Sequence, residues 1–158
     1  MYDGKYSQQN RELQFHSPLG KDVLLIMAMQ GHEALSETYL YQLTLKSEKK
    51  NITAKQLLGK SVSLQVQLPN GEMRELNGLV TRFFRAGGFD TFTHYQLEMR
   101  PWLWLLGKSS DCRIFQNKTV LDIIKEIFTK PIYGGLADYD AALLRESYPI
   151  LNYCVQYR

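Results

Sequence analysis

Apolar and polar residues alternate along most of this chain. Val62, Leu64, Val66 and Leu68 alternate strictly with Ser61, Ser63, Gln65 and Gln67. A period of two predicts a strand with one face on a core and the other in water. Pro69-Asn70-Gly71-Glu72 follows at once. Asn-Gly tolerates the positive φ angles of a tight hairpin turn, so the next strand, Arg74 to about Arg85, should pair antiparallel with this one. Gly78 interrupts that strand and reads as a bulge or a close backbone approach. Tyr39, Tyr41, Leu43 and Leu45 alternate in the same way, as do Thr93, Tyr95, Leu97 and Met99 up to Pro101. Ser17-Pro18-Leu19-Gly20 and Ala86-Gly87-Gly88-Phe89-Asp90 read as turns. Val23 to Gln30 reads as an apolar strand ended by Gly31. Five or six short strands before residue 107, on short connections, predict a small antiparallel barrel or sandwich.

The period changes once. Val120, Ile123, Ile124, Ile127 and Phe128 form an apolar stripe at helical spacing. Thr119 stands where an N-cap belongs, Asp122 at the third helical position, and Pro131 beyond the end. Tyr133-Gly134-Gly135 is a loop. Leu151, Tyr153, Val155 and Tyr157 then alternate with Asn152, Cys154 and Gln156, which predicts a last strand whose edge is left open and whose apolar side chains are exposed. No internal repeat or low-complexity segment is present.

Composition adds limits. The chain has 158 residues, 44% hydrophobic and 22% charged, with a net charge of +3, as expected of a globular domain with a core. The basic residues are scattered, and Lys46-Ser47-Glu48-Lys49-Lys50 is broken by an acid. It reads as a solvated loop, not a nucleic-acid patch, which needs a basic face interleaved with aromatics. Val23 to Met29 is too short to span a membrane, so no stable membrane insertion is expected. Met1-Tyr2-Asp3-Gly4-Lys5-Tyr6 lacks the apolar run of a signal peptide. Cys112 and Cys154 make no disulfide framework and read as free thiols. Asn51-Ile52-Thr53 and Asn117-Lys118-Thr119 match the glycosylation pattern by chance.

Catalytic patterns are absent. Gly59-Lys60-Ser61 and Gly107-Lys108-Ser109 lack the preceding glycine of a phosphate loop, with Ala54 and Trp102 in its place. His16, His32 and His94 have no short metal-ligand spacing with one another or with a cysteine. Glu33 and Glu37 read as a polar turn, not as a glycosidase carboxylate pair. Pro101-Trp102-Leu103-Trp104-Leu105-Leu106 reads as core or buried interface in preference to a stacking platform for bases or sugars. No catalytic, cofactor-binding or metal residue is assigned.

Several segments in order resemble one family. They are Ser17-Pro18-Leu19-Gly20; Gly31-His32-Glu33-Ala34-Leu35-Ser36-Glu37 running into Tyr39-Leu40-Tyr41; Leu57-Leu58-Gly59-Lys60; and Asn77-Gly78-Leu79-Val80-Thr81. Pro101-Trp102-Leu103-Trp104-Leu105-Leu106, Asp111-Cys112-Arg113-Ile114-Phe115-Gln116 and Tyr153-Cys154-Val155-Gln156-Tyr157 complete the set. Together they span about residues 11 to 158 and resemble the start of VgrG (valine-glycine repeat G), the type VI secretion spike related to the baseplate hub of contractile phage tails. The resemblance implies a mainly β chain with one or two helices. Residues 1–10 are then an N-terminal tail, 11–107 the first hub β-barrel, and 108–158 the truncated beginning of a second α+β hub domain.

It also implies a structural, non-enzymatic role without cofactors, as the base of a trimer that caps the Hcp tube and helps deliver effectors. A PAAR-repeat tip protein and effectors would attach through parts further along the family's chain. The protein would be cytoplasmic before firing and then secreted through the apparatus. Two other readings compete: a free-standing barrel that binds nucleic acid or carbohydrate, and a hydrolase directed at peptidoglycan.

Overall fold

The computed structural model describes residues 6–88, 91–137, 139–140, 142 and 147–157. The chain divides into two compact units, Met1–Pro101 and Trp102–Arg158.

Six strands build the first unit: β1 (Leu13–His16), β2 (Leu25–His32), β3 (Leu40–Ser47), β4 (Ser61–Gln67), β5 (Met73–Gly87) and β6 (Thr93–Arg100). They form one antiparallel sheet in the order β1-β4-β5-β6-β3-β2. The sheet curls until its outer strands β1 and β2 meet, but no ladder joins them. The expected small antiparallel barrel is therefore a curled half-barrel with a seam.

Alternation places the core inside the curl. Leu43, Leu45, Leu64, Tyr95, Leu97 and Met99 are fully buried. The rings of Phe83 and Tyr95 stack 5.2 Å apart. The Tyr95 hydroxyl donates to the Lys49 carbonyl at 2.9 Å, so the one polar atom of this buried side chain is satisfied. Asn70-Gly71 makes the β4–β5 turn as its chemistry requires: Gly71 has φ 84°, and the Leu68 N–H donates to the Glu72 carbonyl at 2.8 Å.

A side chain closes the seam. Gln8 is only 3% exposed. Its amide nitrogen donates to the carbonyls of Phe15 (3.2 Å) and Leu24 (3.3 Å). Its amide oxygen accepts from the N–H groups of Phe15 (3.2 Å) and Ile26 (3.0 Å). A carboxamide has the donor and acceptor of a peptide unit, so Gln8 fills the missing rung between β1 and β2. Asp22 holds it from behind, accepting from the Gln8 backbone N–H at 3.1 Å. Residue 8, placed by sequence in the tail, thus packs within the first unit.

Local departures from the sequence reading have physical causes. Gly31 does not stop β2. A Cβ there would lie 2.5 Å from the Tyr41 ring, so glycine makes room for that ring and the strand continues to His32. Gly78 is a close approach: its Cβ would meet Met99 Cγ at 2.7 Å and the Arg100 carbonyl oxygen at 2.8 Å. The register breaks of β5 fall elsewhere, between Val80 and Arg82 and between Arg85 and Gly87. Phe89 and Asp90 of the expected turn lie outside the described residues.

The second unit holds a 3-10 turn (Trp102–Lys108), β7 (Arg113–Lys118), α1 (Val120–Phe128), a 3-10 turn (Pro131–Tyr133) and β8 (Leu151–Gln156). Thr119 caps α1 as expected. Its hydroxyl accepts from the Asp122 N–H at 3.2 Å, and the Asp122 carboxylate accepts from the Thr119 N–H at 3.0 Å. Of the helical stripe, Ile123 is buried and Val120 is exposed. The apolar run after Pro101 is a half-buried turn, with the Trp102 ring edge-on to Phe128 at 4.8 Å. The last strand has a partner in this chain, because β8 pairs antiparallel with β7. Its apolar residues nevertheless face outward: Tyr153 is 70% exposed, and Val155 and the opposing Ile114 are exposed with it.

Candidate interaction surface

The residues singled out for possible chemistry are scattered. His16 meets Gln65 at 3.2 Å, and His32 meets Glu37 at 3.3 Å. His94 lies on the outward face of β6. Among the described residues no group of histidines, cysteines and carboxylates is placed to hold a metal ion. Gly59 serves the fold, its N–H donating to the Val80 carbonyl at 2.9 Å. The Lys108 ammonium sits 4.4 Å from the Trp104 ring centre. Cys112 and Cys154 are free. No helix among the described residues is long and apolar enough to cross a membrane.

The most organised polar cluster lies at one end of the half-barrel, around the loop from β2 to β3. Glu33, expected as part of a polar turn, is its centre. The Arg74 guanidinium on β5 donates to both carboxylate oxygens, at 2.7 and 3.0 Å. The Tyr41 hydroxyl on β3 donates to Glu33 as well. Burial and the hydrogen bond to Glu33 together hold the Tyr41 phenol well above its ordinary pKa, so it remains a donor through the physiological range. The hydrogen bond from Tyr41, joined by the Arg74 charge, holds the Glu33 carboxyl below its ordinary value. Nearby, the Tyr39 hydroxyl donates to the Asn77 carbonyl. Sequence spacing could not show this cluster, because Glu33 and Arg74 are brought together only by the curl of the sheet.

The clamp has a pH signature. A carboxyl whose folded pKa lies below its unfolded value stabilises the fold fully above that unfolded value, near 4.5, and loses the contribution as pH falls through the folded pKa. Glu33→Gln should therefore unfold more easily than the parent above pH 4.5. The gap should close in more acid solution, where the parent carboxyl is also neutral. Urea titrations at several pH values would read this, and a gap independent of pH would show that the carboxylate charge does not matter.

The clamp borders a cavity of about 380 Å³ lined by Met29, Val66, Leu68 and Leu76 with the Tyr41 ring, and rimmed by Glu33 and Arg74. Its apolar walls and paired rim charges suit an apolar group.

Comparisons place this geometry. Residues 32–158 match the phage tail baseplate hub (GPD) family. The type VI secretion system spike protein VgrG1a of Pseudomonas aeruginosa is 46% identical over 96% of this chain. VgrG1b of the same organism is 44% identical over 96%. The chain spans 23% and 20% of the lengths of these two relatives. A Vibrio cholerae relative named actin cross-linking toxin VgrG1 is 29% identical and is matched over 13% of its length. Among solved structures, an E. coli type VI secretion component described as similar to T4 bacteriophage tail proteins gp27 and gp5 superposes with a TM-score of 0.61. The match is at 22% identity and covers 85% of this chain and 38% of that one. The curled six-stranded sheet and the family match over residues 32–158 lead to one assignment: this chain belongs to the phage tail baseplate hub family.

Proposed function

We propose that this chain is a structural part of a type VI secretion spike, at the base of a VgrG-like trimer that caps the Hcp tube and helps deliver effectors. The observation that carries the reading is the alignment of nearly the whole chain with VgrG1a at 46% identity. Residues 11–107 supply the first hub barrel and residues 108–158 begin a second α+β hub domain. PAAR tip and effectors attach through later parts of the longer family chains. The spike is cytoplasmic before firing and leaves through the apparatus.

Symmetry governs assembly. A trimer meets a six-fold tube evenly only if each chain offers two similar surfaces, and one barrel per chain supplies half of the positions. This chain alone should associate weakly and bind Hcp hexamers poorly, while full-length VgrG1a should form a trimer that docks on the tube end. Light scattering of both proteins with Hcp at matched concentrations is the test. A tight trimer of the 158-residue chain would remove the two-barrel account. Failure of the full-length relative to bind Hcp would remove the capping role.

A further inference from the structure

We propose that residues 7–12 are a latch, which lifts off the seam between β1 and β2 while the six-stranded sheet and its core stay folded. Sequence and burial set this segment apart. Ser7-Gln8-Gln9-Asn10-Arg11-Glu12 contains no apolar residue, and every one of the six except Gln8 is exposed. The apolar anchor before it is Tyr6, whose ring meets Phe92 edge-on at 4.9 Å. Polar groups join the latch to the β2 side. The Gln8 carboxamide bonds the Leu24 carbonyl and the Ile26 N–H. The Arg11 guanidinium reaches the Ile26 carbonyl at 3.5 Å, and Asp22 accepts from the Gln8 backbone N–H. The latch is tied differently to β1. The Gln14 amide nitrogen donates to the carbonyls of Gln9 (3.4 Å) and Arg11 (3.2 Å), and the Glu12 carbonyl continues the ladder to β4 by accepting from the Gln67 N–H at 2.7 Å. The segment therefore stays with β1 when it leaves β2.

Two physical differences separate lifting from unfolding. Lifting draws no apolar side chain of residues 7–12 out of the core, and water takes over the hydrogen bonds that Gln8 gives up, so bonds are exchanged and not simply lost. Unfolding exposes Leu43, Leu45, Tyr95, Leu97 and Met99, which are fully buried. Asp22 adds a bias toward opening. It holds the left-handed conformation, φ 58°, which an L-residue adopts at a cost. Its bond to Gln8 keeps it there, and a lifted latch frees it to relax. The first unit is thus built with one line along which its backbone edges become accessible without loss of the fold.

Native-state hydrogen exchange of the whole chain tests the latch. The N–H groups of Phe15 and Ile26 lie on opposite strands and both donate to the Gln8 amide oxygen, so one lifting event exposes both. Corrected for intrinsic rates, they should share one protection factor and exchange roughly tenfold or more faster than the slowest amides of β3 and β6. Dilute urea should hardly change their exchange, while that of β3 and β6 rises steeply, because only the latter exposes a core. Asp22→Gly removes the acceptor behind Gln8 and tolerates the positive φ. Although residue 22 bonds neither amide, the change should speed both by the same factor, about threefold or more. Gln8→Ala should abolish the protection of both and leave β3 and β6 protected; if that variant does not fold, Asp22→Gly carries the test. Exchange of Phe15 and Ile26 at the rate and urea dependence of β3 and β6 would mean that the seam opens only with the whole unit. Unequal protection of the two amides, or no response to Asp22→Gly, would mean that they fray separately. Either result overturns the latch.

Discussion

Replacing Gln8 by alanine is expected to lower the unfolding free energy by about 2–4 kcal/mol, because it leaves buried backbone groups without partners. The groups are the N–H and carbonyl of Phe15, the Leu24 carbonyl and the Ile26 N–H, all now served by one carboxamide. Neither β1 nor β2 can repair the loss, since no ladder joins them. Gln8→Glu separates geometry from chemistry. The carboxylate keeps its shape and one oxygen still accepts from Phe15 and Ile26, but the other, in place of the amide nitrogen, is an acceptor turned toward the carbonyls of Phe15 and Leu24 and stands beside Asp22. It should be no better than alanine near neutral pH and should recover as pH falls and the side chain takes up a proton. Gln9→Ala, at an exposed neighbour, is the control and should leave stability unchanged. Urea denaturation reads all three. A Gln8→Ala variant as stable as the parent would mean that the seam holds without its rung.

Gly78→Ala is expected to cost about 1–3 kcal/mol through overpacking. The added methyl would meet Met99 Cγ at 2.7 Å and the Arg100 carbonyl oxygen at 2.8 Å. Met99 is fully buried and the Arg100 carbonyl belongs to β6, which is laddered to β5 here, so neither neighbour can retreat freely. Gly107→Ala is the contrast, because a Cβ there would meet nothing within 4 Å. Thermal unfolding of the two variants should separate them clearly, with only Gly78→Ala losing several degrees. Equal midpoints would show that β5 and β6 have slack at their crossing.

What the sequence revealed depended on the range of the interaction. Local rules succeeded at the Asn70-Gly71 turn, at the Thr119–Asp122 cap and in the alternation of β3, β4 and β6, because each is decided within a few residues. β1 escaped notice because Leu13–His16 is only four residues long, and β7 because Ile114 and Phe115 stand side by side and break the alternation. Gly31 misled because its reason is the ring of Tyr41, a neighbour only across the sheet. The apolar run after Pro101 forms no buried core of its own, because a tight turn leaves every side chain partly in solvent. The Glu33 clamp and the Gln8 rung were invisible for a shared reason. Each joins residues that only the closed sheet brings together, and glutamine and glutamate carry no sequence mark that separates a surface position from a buried junction.

The strand order also sets when each piece of the first unit can become fixed. β4 and β5 meet through a tight turn, and β2 and β3 through one loop, so both pairs can form early from neighbouring residues. β3 and β6 must find each other from Ser47 to Thr93 across the whole β4–β5 hairpin, and a closure of that length is slow. β1 depends on β4, with Leu13 opposite Val66, and Gln8 depends on both β1 and β2. During synthesis Gln8 and β1 therefore emerge before β4 and can be locked only after β2 and β4 have emerged and curled.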